Sequence, residues 1–348
     1  MVLRQQVEQD WRTEQAQFLA TKDKRTSGSR LSRLSFPRDR GLFMWLLLAF
    51  MSAAFLGVYD SLKKKALKDN AVIPILFLNT LFSSLIFLPF IVLSASGAML
   101  DGTIFLVGSG GWEMHKYIVL KAVIVLSSWV LGYFGMKHLP LTIVGPINAT
   151  RPVMVLVGAL VVFGERLNVW QWIGVLLAVA SFFLLSRSGK KEGIDFKHDH
   201  WIYMVVGAAA LGAISGLYDK YLMAPIDEGG VGLDRMMVQS WYNIYQCGMM
   251  LAMLMLLWWP KHKDTTPFHW DWSIIGVSIF LSTADFMYFY SLSLPSAMIS
   301  IVSMIRRGSV VVSFLFGAMF FREKNLKAKA FDLALVLLGM IFLYIGSH

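Results

Sequence analysis

Three arginines fall in the middle of apolar runs: Arg151 in "GPINATRPVMVLV" and Arg306-Arg307 in "MISIVSMIRRGSVVVSF". A guanidinium is always charged, and its planar fork matches a carboxylate or phosphate. Asp285 is central in a third such run, "SIFLSTADFMYFY". An ionisable residue at that depth in a bilayer costs about 2.5–3.5 kcal/mol on insertion scales and is functional by default. Three deep arginines face one deep aspartate, so either an anion binds there or other carboxylates lean inward. Internal pairing that locks helices together is the competing reading of the arginines.

Polar neighbours recur at helical spacing around these charges. Asn148 precedes Arg151 by three residues. Ser296, Ser300, Ser303 and Arg307 share a face, as do Ser278, Ser282 and Asp285, and as do Gln239, Asn243 and Gln246. Such faces look at protein or water, either as a cavity wall or as interhelical hydrogen-bond glue. Substrate binding is assigned to Arg151, Arg306, Arg307, Asn148, Asn79, Asn243 and Ser303. Proton coupling or gating falls to Asp285, Asp60, Asp219, Tyr59 and Tyr218. Glu165 and Glu323, at helix ends, read as caps or surface ion pairs. Lys121, about one turn inside its run, is expected to snorkel to the interface.

The elements that must position these groups are apolar. Of 348 residues, 56% are hydrophobic and 16% charged, against about 25% charged in soluble domains. Runs near the 20 residues that span a bilayer cover 42–62, 72–95, 116–137, 140–163, 168–187, 201–223, 235–259, 272–293, 295–321 and 326–346. The expected fold is an all-α integral membrane protein of ten transmembrane helices. Residues 1–40, with nine Lys/Arg and five Asp/Glu, read as a disordered basic tail. Residues 41–187 and 201–348 read as two five-helix units joined by a linker at 188–200.

The two units look related. Gly-x-Tyr-Asp occurs at Gly57–Asp60 and again 159 residues later at Gly216–Asp219. Asn79 is matched by Asn243, and Leu139-Pro140 by Leu294-Pro295. Five is odd, so the second unit enters the membrane from the opposite side. An inverted repeat of this kind builds many secondary transporters, with the site near the midplane. Asp60 and Asp219 then read as paired gate or helix-end positions near opposite faces.

Other functions lack their motifs. No phosphate-binding loop, H-E-x-x-H or G-x-S-x-G is present, so neither an enzyme nor a metal or cofactor site is expected. The single Cys247 excludes a disulfide framework. The net charge of +10 lies mostly between apolar runs and reads as topology signalling rather than nucleic-acid binding.

The stretch "GPINATRPVMVLVGALVVFGERLNVWQWIGVLLAVASFFLL" (145–185) resembles the EamA family of the drug/metabolite transporter superfamily. The resemblance rests on Pro152, Gly164-Glu165-Arg166 and Gly174; Arg322 departs from it in the second unit. It implies a ten-helix, secondary carrier without ATPase domains. With the deep arginines, this reads as a plasma (inner) membrane transporter of a small polar, anionic or zwitterionic metabolite, with a proton on Asp285, Asp60 or Asp219 as the candidate coupling ion. The alternative is a membrane enzyme or lipid-handling protein acting on a phosphorylated head group. Orientation is contested. Loops after odd-numbered runs carry 15 Lys/Arg and loops after even-numbered runs carry 3, which puts both termini outside, whereas the tail says the reverse. Initiation at Met44, with residues 1–43 outside the native chain, reconciles the two. Peptides from residues 1–43 in endogenous protein would refute it.

Overall fold

The computed structural model describes residues 38–97, 103–154, 168–190, 198–224, 226, 229–294, 302, 305–321 and 326–346. One compact unit spans Leu42–His348. Its helices are α1 (Arg38–Leu67), α2 (Val72–Ala95), α3 (Trp112–His138), α4 (Leu141–Ala149), α5 (Val169–Lys190), α6 (His200–Met223), α7 (Arg235–Met253), α8 (Ser273–Ser293), α9 (Ser309–Phe320) and α10 (Leu326–Gly346). Among the described residues, six helices are long and apolar enough to cross a membrane.

The bundle is apolar outside and polar inside. Phe50, Phe183, Leu256 and Phe320 face outward, while Ser52, Asn79, Thr142, Gln246 and Ser278 are wholly buried. A bilayer favours this arrangement, because hydrocarbon surrounds the outer face and many of the buried polar groups bond one another. Serine hydroxyls supply much of the bonding. Ser52 donates to the Ala284 carbonyl at 2.7 Å, tying α1 to α8. Ser128 donates to Ala208 at 2.7 Å, tying α3 to α6. Ser84 donates to Asn243 at 2.8 Å and Ser181 to Asp332 at 2.7 Å, tying α2 to α7 and α5 to α10. Helices α4 and α9 also pack together.

Three element ends are built by side chains. Asp234 caps α7 by accepting from the Met236 and Met237 amides at 2.8 and 3.0 Å, which satisfies otherwise orphaned donors. Lys64 donates to the Met136 and Leu139 carbonyls, both at 2.6 Å, closing the C-terminus of α3. Asn70 exchanges two hydrogen bonds with His269 at 2.7 and 2.9 Å, fixing the α1–α2 turn to the segment before α8.

Two helices differ from their expected continuity. The run at 140–163 is interrupted at Thr150, whose hydroxyl bonds back to the Ile147 carbonyl at 2.7 Å. The run at 295–321 is interrupted at Gly308, whose amide bonds to the Ile305 carbonyl at 2.9 Å. Arg151 follows the first break and Arg307 precedes the second. The ends of α1 and α3 also shift. Helix α1 runs on to Leu67, so Lys63, Lys64 and Lys65 are helical rather than loop charges. Helix α3 starts at Trp112, one turn before the expected 116.

The repeated Gly-x-Tyr-Asp is used unequally. A Cβ at Gly57 would stand 2.4 Å from Val312 Cβ and 2.8 Å from the Ser309 carbonyl oxygen, whereas one at Gly216 would meet nothing within 4 Å. Gly57→Ala is therefore expected to wedge α1 from α9 and cost about 1–3 kcal/mol, read as a lowered melting temperature in detergent. Gly216→Ala should leave it unchanged. Equal effects at the two glycines would contradict this packing.

Candidate functional site

A cavity of about 170 Å³ lies among α1, α3, α4, α6, α8 and the arginine-bearing segments. Its wall carries five cations, Lys63, Lys121, Arg151, Arg306 and Arg307, and three carboxylates, Asp60, Asp219 and Asp285. Each carboxylate has its own cation. Lys63 Nζ lies 2.8 Å from Asp60 on the same helix. Lys121 on α3 pairs with Asp219 on α6, and Arg306 pairs with Asp285 on α8. Asp285 also accepts from the Tyr242 hydroxyl at 3.0 Å.

Aromatic rings cover the paired cations. Lys63 Nζ is 4.3 Å from the Tyr59 ring centre, Lys121 Nζ is 5.1 Å from that of Tyr242, and the Arg306 guanidinium is 4.2 Å from that of Tyr288. Ring faces are electron-rich, so they hold cations away from lipid at little cost.

The remaining two cations are treated differently. Arg151 donates through Nη2 to the neutral Asn148 Oδ1 at 3.0 Å, and its Nε has no partner among the described residues. Arg307 has no ion pair or hydrogen bond among the described residues. The wall therefore holds a formal excess of two positive charges.

Arg151, Arg306, Arg307, Asn148, Asp285, Asp60, Asp219 and Tyr59 thus line one cavity. Asp60 and Asp219 share it, approaching from its two ends. On α3, Lys121 beside Asp219 and Tyr133 beside Tyr59 are twelve residues apart, or about 18 Å along a helix.

The other expected residues stand elsewhere. Asn79 is buried behind the wall. It donates to the Tyr133 hydroxyl at 3.0 Å and accepts from Ser278 at 3.1 Å, and Tyr59 bonds Tyr133 at 3.4 Å. It positions two cavity tyrosines instead of meeting a ligand. Asn243 donates to the Gln239 carbonyl at 2.8 Å within α7. Tyr218 turns to the Tyr117 carbonyl at 3.2 Å. Ser303, Glu165 and Glu323 lie outside the described residues.

Lys121 overturns its expectation of snorkelling. It is 3% exposed and bound to Asp219, because the earlier start of α3 places it a turn deeper. Lys63 is also buried, at 8% exposure. The signal for both was a lysine with an aspartate three residues away or on a facing helix, and only the i,i+3 pair is visible along the chain.

Residues 43–187 match the EamA-like transporter family. EamA proteins form part of the drug/metabolite transporter superfamily. An uncharacterized transporter of Archaeoglobus fulgidus is 26% identical over 149 residues, which is 42% of this chain and 49% of that protein. The chain therefore matches about half the length of this curated relative. One solved crystal structure of a protein superposes with a TM-score of 0.56 at 13% identity, covering 89% of this chain and 98% of the other. At that identity the likeness establishes the fold alone. The EamA segment and the apolar helices together make this a multi-pass integral membrane protein.

The Arg306–Asp285 pair is predicted to behave as a buried pair. Arg306→Gln or Asp285→Asn alone should cost about 3–5 kcal/mol, since each strands a charge. The double variant should cost clearly less than the sum, as read by a double-mutant cycle on detergent melts. Additive effects would show that the two groups do not interact.

Proposed function

We propose that the protein is a secondary transporter that moves a small polar metabolite of anionic or zwitterionic character across the plasma membrane by alternating access. The observation that carries this reading is the excess of two guanidinium charges on a cavity wall inside an apolar bundle. A structural ion-pair network has no use for that excess, and an anionic group would compensate it. The family of residues 43–187 and the relative named as a transporter support the same reading.

Two inverted five-helix repeats provide the alternating element. Support for them comes from the packing of three helices on their counterparts. Helices α2 with α7, α4 with α9, and α5 with α10 pack on one another, as an approximate two-fold requires. The breaks beside Arg151 and beside Arg307 fall in corresponding runs. Arg151 and Arg307 bind the substrate anion. Asn148 holds Arg151, and Arg306 is committed to Asp285. Asp60 with Tyr59 and Asp219 with Lys121 close the two ends.

Purified protein in liposomes should show saturable, counterflow-sensitive uptake of at least one labelled small anion or zwitterion. Arg307→Gln should lower it roughly tenfold or more, the weight of one lost charge-assisted bond. If uptake from a broad panel never saturates, or survives Arg151→Gln and Arg307→Gln together, the carrier reading or its site is wrong.

A further inference from the structure

The charge count at the cavity fixes more than the sign of the ligand. The three carboxylates are already used, one by each of Lys63, Lys121 and Arg306. Arg151 has a neutral amide and an unpartnered Nε. Arg307 faces repulsion from both Arg151 and Arg306, larger than the attraction it feels from Asp60. Arg151 cannot withdraw toward α6, since its guanidinium carbon already fills the space at Gly212, 2.7 Å from where a Cβ would stand. The two spare guanidinia line the same cavity.

A ligand of charge −1 leaves one of them uncompensated. A zwitterion leaves the pair as it was in net charge and adds an ammonium to a wall already rich in cations. A ligand of charge −2 neutralises both. Taking the cavity to be the substrate site of the proposed carrier, we propose that the substrate is a small dianion, either a short dicarboxylate or a phosphomonoester, bound between Arg151 and Arg307. A phosphomonoester carries about −1.5 to −2 at pH 7, and a dicarboxylate carries −2 above its carboxylate pKa values. The cavity of about 170 Å³ limits either to a compact molecule.

The test compares probes of equal size and different charge on the full chain. Succinate is set against its monoamide and against γ-aminobutyrate, and propyl phosphate against its methyl diester. Binding is read as thermal stabilisation in detergent, and flux separately in liposomes. The proposal expects succinate, propyl phosphate or both to stabilise at roughly tenfold lower concentration than their singly charged or zwitterionic counterparts. Arg307→Gln should remove that preference, and the ordering in the unsubstituted protein stands even if the variant folds poorly. Equal stabilisation across a pair, preference for the monoanion or zwitterion, or no response to either dianion overturns the proposal. Saturable flux of a monoanion or zwitterion in that event keeps the carrier reading intact. Dianion binding without any saturable flux keeps the charge assignment and ends the carrier reading.

Discussion

An arginine in hydrocarbon costs about 2.5–3.5 kcal/mol even on the mildest insertion scales, and this chain brings three to one cavity. That cost is met in different ways. Arg306 is neutralised by Asp285 and covered by Tyr288. The lysines of the two cavity ends are neutralised by Asp60 and Asp219 and covered by tyrosines. Arg151 and Arg307 keep their charge, which makes the cavity attractive to an anion in a region that otherwise excludes one.

The rest of the bundle holds those two charges in place with neutral parts. Serine-to-carbonyl bonds join helices without adding charge. Each is worth well under 2 kcal/mol in a membrane, weak enough for helices to shift and numerous enough to specify their register. Asn79 extends this logic to the wall, locking Tyr133 and through it Tyr59. The interruptions at Thr150 and Gly308 place Arg151 and Arg307 at helix ends instead of mid-helix. The inter-helix pair Lys121–Asp219 and the single-helix pair Lys63–Asp60 also differ in kind. Separating α3 from α6 breaks the first, while the second travels with α1.

Much of this was legible in the chain. Apolar run lengths gave the six helices that are long enough to cross a membrane among the described residues, since a spanning segment has a length set by the bilayer. Depth within a run singled out Arg151, Arg306, Arg307 and Asp285, and all four line the cavity. What the chain hid were partners on different helices. Nothing local to Lys121 announces Asp219, 98 residues away. The reach of α3 back to Trp112, which puts Lys121 too deep to snorkel, passes through a polar "WEMHK" that periodicity does not mark as spanning. Asn79 and Asn243 recur at matching places in the sequence, yet their side chains bond Tyr133, Ser278 and the Gln239 carbonyl, because which side of a helix faces a cavity depends on the neighbours it acquires. The twin Tyr-Asp motifs were visible at once, but their convergence on one cavity was not, since a cavity's length is invisible in sequence.

The central claim is that Arg151 and Arg307 form an anion site inside the bundle. Anomalous diffraction from crystals grown with selenate tests it most directly, because the selenium edge reports where a dianion sits without reference to transport. The predicted result is a peak within hydrogen-bond reach of both guanidinia, lost in Arg151→Gln. A cavity empty of selenium, with the two guanidinia turned onto Asp60, Asp219 or Asp285, would contradict it.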